Sequence, residues 1–218
     1  AMSVDSPDRL ALCLAGLGLF SGIYHPTGLG LITKGMERLS MGLGVNGVFG
    51  NIGLAAAPLI AGASNRFWGP AGAYAALAAF NFFGFVLTAV MKFDTPPAHA
   101  SSTAKENKGA GLTPFLILLV AMMLGGIAYR GATVIMPVFF ELKGQGIFEF
   151  LARFWSGGVS ANLAAAVLTS FIYLIGIAGQ FSGGVAGEKY DAGKAYLFFH
   201  ALTLPPIFLM GLFSDWPL

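Results

Sequence analysis

Apolar runs of about 20 residues, the length a membrane-crossing helix needs, alternate along the chain with short polar breaks that carry most of the charge. Residues 1–9 are polar. Residues 10–33 form the first run, closed by a charged turn over 34–40. The second run covers 41–64, and a tight loop with Trp68 leads to the third, 71–91. Residues 93–113, FDTPPAHASSTAKENKGAGLT, form the longest stretch of low hydrophobicity and read as a flexible linker. The fourth run covers 114–140. Residues 141–160 mix Phe148, Phe150, Phe154 and Trp155 with Glu149 and Arg153, the composition of an amphipathic segment lying in a membrane interface. The fifth run is 161–182, and the sixth, 195–213, follows the charged turn Glu188 to Lys194. Runs of this length predict helices; barrel strands would show ten-residue alternation instead. The pattern predicts an all-α integral membrane protein of six transmembrane helices. They form two three-helix units, 1–92 and 114–218, joined by the linker 93–113.

Composition agrees. The chain has 218 residues, 56% hydrophobic and only 10% charged, where soluble domains carry about 25% charged residues. A net charge of +2 indicates no nucleic-acid partner. Cys13 is the one cysteine, so no internal disulfide forms. One set of breaks holds Lys34, Arg38, Lys92, Lys105, Lys108, Lys189 and Lys194; the opposite set holds Arg9, Arg66, Lys143 and Arg153. The positive-inside bias then predicts a multi-pass protein of the plasma (inner) membrane, with a cytoplasmic linker and an outside N-terminus.

Four clusters carry candidate chemistry. In the second run, Gly44, Gly53, Ala57-Pro58 and Ala61-Gly62 are spaced so that small residues admit a neighbouring backbone. Pro58 removes a helix hydrogen bond and bends the run. Asn46 and Asn51 share that run, either joining helices or facing a cavity. Residues 183–194, GGVAGEKYDAGK, include Gly184, Glu188, Lys189 and Lys194. A carboxylate there can face a helix N-terminus while a cation pairs across the two units; the alternative is a solvated turn. Tyr24-His25-Pro26 lies within the first run, where a histidine is a candidate for proton coupling or a hydrogen bond to a neighbouring helix. Gly18, Gly22, His25 and Leu29 share a helix face, which would be the close-packed or cavity side. Arg130 is the basic residue deepest in a run and shares a stripe with Val134, Pro137 and Glu141. It either binds an anion or carboxylate, or snorkels to the interface. His99 and His200 stand apart, and no metal, nucleotide or nucleophile constellation appears. No enzyme activity, cofactor or metal is therefore expected.

The spacing from Gly44 to Gly62 resembles the fifth-helix signature of major facilitator superfamily antiporters, G-x8-G-x3-G-P-x2-G-G, with Ala57 and Ala61 replacing two glycines. The stretch from Gly184 resembles that superfamily's cytoplasmic loop motif, G-x-x-x-D-R-x-G-R. Glu188 stands for the aspartate, Lys189 for the arginine, and Asp191 occupies the second glycine's place. Tyr24-His25-Pro26-Thr27-Gly28 is similar to the fosmidomycin-resistance branch. The resemblance implies that the six helices correspond to helices four to nine of twelve, part of a major facilitator fold. It implies a secondary transporter, a drug:proton antiporter exporting a small organic molecule. Tyr24, His25, Asn46, Asn51, Arg130 and Glu141 would serve substrate and protons. Gly44, Gly53, Pro58 and Gly62 would pack helices, and Gly184, Glu188, Lys189 and Lys194 would latch the cytoplasmic side. The expected partners are the lipid bilayer, a small-molecule substrate, protons, and missing helices or other membrane subunits. The alternative is a non-transporting structural or assembly subunit of a larger membrane complex, derived from such a protein.

Overall fold

A computed structural model describes residues 6–91, 112–153 and 161–212. Its elements are α1 (Pro7–Gly35), α2 (Leu39–Val90), α3 (Leu112–Lys143), α4 (Gln145–Ala152), α5 (Ala161–Lys189), α6 (Ala192–Leu202) and α7 (Leu204–Leu212). No strand occurs among the described residues. Among the described residues, four helices are long and apolar enough to cross a membrane: α1, α2, α3 and residues 163–189 of α5.

Local chemistry sets most helix ends. The Ser6 hydroxyl accepts from the Arg9 N–H at 3.4 Å, and Pro7 occupies the first helical position, where its missing N–H loses no bond. The α1 helix continues through Pro26 and ends before Met36, whose N–H donates to the Ile32 carbonyl. Asp191 caps α6 by accepting from the Lys194 N–H at 2.9 Å.

The count of long helices differs from the six apolar runs at two places, each with a local cause. The second and third runs both fall within α2, which has 52 residues. At Gly69 the backbone leaves the helix, with φ 68° and ψ −174°, and Pro70 follows. A Cβ on Gly72 would lie 3.3 Å from the Ser64 carbonyl oxygen, whereas an unbroken helix sets residues eight apart at about 12 Å. The axis therefore turns sharply at Gly69. The sixth run is divided between α6 and α7 at Thr203. Pro205 and Pro206 supply no N–H to the preceding turn, and the Thr203 hydroxyl and N–H both donate to the His200 carbonyl, at 2.7 and 3.1 Å. Of the linker, Leu112 and Thr113 open α3, and 93–111 lie outside the described residues. The amphipathic segment contributes α4; Phe154 and Trp155 lie outside the described residues, as does Phe213 at the end of the sixth run.

The principal packing is between α2 and α5, which run antiparallel. The α3 helix lies against α5. The α1 helix touches α2 near its own C-terminus, where Ile32 and Met36 cover Gly42. Among the described residues, the buried hydrophobic ones are Ala55, Ala164, Ala165 and Ala166; large apolar side chains such as Leu12, Phe20, Phe82 and Ile117 are exposed. That inversion suits a bilayer, where lipid solvates large apolar side chains and small ones let helices approach.

Gly69 tests the bend. Its φ and ψ lie in a region essentially confined to glycine, where a side chain costs about 1–3 kcal/mol. Gly69→Ala should therefore lower stability by about that amount, read as a reduced unfolding midpoint in detergent, whereas Gly84→Ala, with open space around it, should not.

Candidate functional site at the seam between α2 and α5

The seam is built on two stripes of small residues. On α2 the stripe passes through Ser40, Gly44, Gly47, Asn51, Ala55, Pro58 and Gly62 at helical spacing. On α5 it passes through Thr169, Gly176, Gln180, Gly184 and Gly187. Where they cross, backbone meets backbone. A Cβ on Gly44 would lie 2.7 Å from the Gly184 Cα and 3.0 Å from the Gln180 carbonyl oxygen. A Cβ on Gly184 would lie 3.0 Å from the Gly44 Cα. No side chain fits at either position without separating the helices.

Two amides extend the contact in opposite directions. The Gln180 side chain of α5 lies across Gly47 of α2. The buried Asn51 side chain of α2 lies across Gly176 of α5, where a Cβ would stand 3.0 Å from Asn51 Oδ1. Asn51 Nδ2 donates to the Gly47 carbonyl at 3.2 Å, so the amide is held by its own helix while it fills the glycine notch opposite.

At one end of the seam lies the Glu188 carboxylate. Arg38 stands at the N-cap of α2 and makes no side-chain capping bond. Glu188 Oε1, at the end of α5, instead accepts from the Met41 N–H at 3.1 Å. A carboxylate there satisfies one of the free N–H groups of the first turn and faces the positive end of the helix dipole. Gly187 lies against the Ser40 side chain beside it. The side chain of Lys189 lies over the Tyr190 ring, 5.4 Å from its centroid.

The residues singled out from the sequence divide between this seam and other places. Gly44, Asn51 and Gly184 meet across it, and Glu188 closes its end. Pro58 and Gly62 lie on its α2 stripe and are half-buried, as is Asn46. Gly53 is off the stripe, and a Cβ there would meet nothing within 4 Å. Lys194 contributes its N–H to the Asp191 cap. Tyr24 and His25 are exposed on α1 with their rings edge to face, 6.4 Å apart, and the Thr27 hydroxyl donates to the Ile23 carbonyl one turn back. Gly18 and Gly22, on the same face, have open space around them. Arg130 is exposed on α3, its carbonyl accepting from the Thr133 hydroxyl at 3.2 Å, and Glu141 is exposed near the end of that helix. Among the described residues, no hydrogen bond joins Tyr24, His25, Arg130 and Glu141 to one another.

Other residues of the seam escaped the motif reading. Ser40, Thr169, Gly176 and Gln180 belong to no recognisable motif, and Gly187 fills an unspecified position of one, although tracing every third or fourth residue back from Gly184 and Gly187 reaches the α5 members. His200, isolated in the sequence, stacks on Tyr196 with rings 5.6 Å apart and packs against Gly125 of α3.

The family model described as Major Facilitator Superfamily matches residues 2–218. No curated protein and no solved structure matches.

The seam geometry predicts a cross-link. With Cys13→Ser as background, Ser40→Cys and Gly187→Cys should form a disulfide once the two backbones part slightly, because a Cβ on Gly187 would lie 2.9 Å from the Ser40 Cβ, just short of the about 3.5–4.5 Å that a disulfide spans. Adding Gly44→Ala should cut the yield strongly, since backbone cannot give way as a flexible side chain does. Adding Gly53→Ala should leave it unchanged. Gel shift under mild oxidation checks all three.

Proposed function

The chain belongs to the Major Facilitator Superfamily, and from that premise we propose that it exports a small organic molecule in exchange for protons, with the α2–α5 seam as its cytoplasmic gate. Membership makes it a multi-pass membrane protein of a transporter superfamily. The gate reading rests on one observation: the Met41 N–H of α2 bonds the Glu188 carboxylate of α5, beside the Gly44–Gly184 crossing. A hydrogen bond between units at the mouth of their interface is what a latch requires. It is exposed, so it can break and re-form during a cycle in which one unit rocks against the other.

The layout follows from helix length. The 52 residues of α2 amount to about 78 Å at 1.5 Å each, far beyond a hydrocarbon core of about 30 Å. We therefore assign α2 two crossings, separated at Gly69, and assign the sixth to α6 and α7. These six would stand as helices four to nine of a twelve-helix fold, completed by further helices alongside, with the N-terminus outside and the 93–113 linker in the cytoplasm of a cell with a plasma (inner) membrane. Tyr24, His25, Asn46, Asn51, Arg130 and Glu141 are the proposed substrate and proton residues. Gly44, Gly53, Pro58 and Gly62 are the proposed packing set. In the latch, Gly184 and Glu188 provide the contact and Lys189 and Lys194 its positive surroundings.

Reconstitution with an internal pH dye tests the activity. Under a proton gradient, at least one compound of a panel of small organic molecules should drive proton movement, and Arg130→Ala should abolish it. If no compound moves protons and the protein copurifies firmly with other membrane chains, the structural-subunit reading replaces this one. The latch has its own readout. Glu188→Ala should weaken closure by about 0.3–1 kcal/mol, the usual worth of a charge at an exposed helix end. The effect would appear as slower Ser40→Cys/Gly187→Cys cross-linking, and Glu188→Gln, which keeps the acceptor, should lie between.

A further inference from the structure

Thr169 is 2% exposed, and its hydroxyl oxygen is buried without a hydrogen-bond partner. Other hydroxyls of this chain show how easily a helix avoids that. Those of Thr27, Thr88, Thr133 and Ser170 each donate to a carbonyl three or four residues back in the same helix. Ser170, next in sequence, does so at 2.8 Å to the Ala166 carbonyl. Thr169 leaves that bond unmade at a position where an unmatched hydroxyl is unfavourable.

Its place in the seam supplies the second half of the argument. Thr169 lies seven residues before Gly176 and so on the same stripe of α5, the one that faces α2. The pairings Gly47 with Gln180 and Asn51 with Gly176 set an antiparallel register. Continued by two turns, that register brings Pro58 opposite Thr169. Proline has no N–H, so the Leu54 carbonyl lacks the donor that every ordinary helix position provides. Each helix thus leaves a polar group unmatched at one level of the seam, a hydroxyl from α5 and a carbonyl from α2. The buried neighbours, Ala55, Ala165 and Ala166, are small.

We infer that the seam holds a bound water at the level of Pro58, bridging the Thr169 hydroxyl and the Leu54 carbonyl. The Thr169 hydroxyl has no partner and so does not bond the carbonyl directly; a water can accept from the one and donate to the other, and buried waters occupy polar sites of this kind. The site is neutral: Asn51, Ser64, Thr169 and Ser170 are the buried polar residues of the seam and its surroundings. Its consequence is that the seam is dry where Gly44 meets Gly184 and wetted beyond, so that separation of α2 from α5 begins at a hydrated point.

The full-length chain in lipid nanodiscs tests this by pulsed radiolysis of water, read by mass spectrometry as oxidation of individual residues. Leu54 and Pro58 should be oxidised at a rate well above other seam residues, and both Thr169→Val and Thr169→Ala should reduce that rate to background. Thr169→Val should also lower the thermal midpoint, since it strands the water; a raised midpoint would mean the hydroxyl had been idle. Unlabelled Leu54 and Pro58 in the parent chain, or labelling that persists in both variants, would overturn the inference. The readout needs neither transport nor the Glu188 latch, so its failure leaves the proposed activity standing, and the reverse holds.

Discussion

In a bilayer, helices gain little from burying large apolar side chains against one another, because lipid solvates those side chains equally well. What holds two helices together is dispersion between closely spaced backbones and polar bonds that lipid cannot offer. In this chain that closeness is set by Gly44 and Gly184, whose α-carbons face each other with no room for a side chain on either. The rest of the seam follows from that contact. Gln180 can lie over Gly47, and Asn51 can reach Gly176, because the crossing has already brought the axes together. Glu188 reaches the Met41 N–H for the same reason.

The two ends of the seam carry different chemistry. Near Glu188 the helices touch through glycine, and the bond that closes them is exposed. An exposed charged cap is worth little by itself. Farther along, beyond Asn51, the stripes carry Ala55 and Pro58 on α2 and Thr169 on α5, and Ala55 and Thr169 are among the buried residues.

The outer helices stand in a different relation to the core. The α1 helix meets α2 near Ile32 and Met36, and the remainder of it, with His25, is turned to its surroundings. Arg130 is likewise exposed on α3. A charged side chain at membrane depth is stable only against protein or water. Arg130 and His25 both stand away from the seam, which depends on no charge beyond Glu188.

The sequence by itself determined that this is a helical membrane protein, because the length of an apolar run and the scarcity of charge are one-dimensional quantities that a bilayer reads directly. It also marked Gly44, Gly184 and Glu188, since close approach and capping demand particular residue types. Local sequence accounts for the departures too: Gly69-Pro70 bends α2, and Pro205-Pro206 interrupts the final run. What only the tertiary structure decided is which face of each helix meets which. Gly53 has the same composition and motif standing as Gly44, but a rotation of about 100° per residue carries it off the stripe. Gly44 and Gly184, 140 residues apart in the chain, came from two motifs with nothing local to link them. Glu188 reads in sequence as equally suited to a solvated turn. It becomes a cap because α5 ends beside the first turn of α2, a juxtaposition that belongs to packing and is written in no single segment.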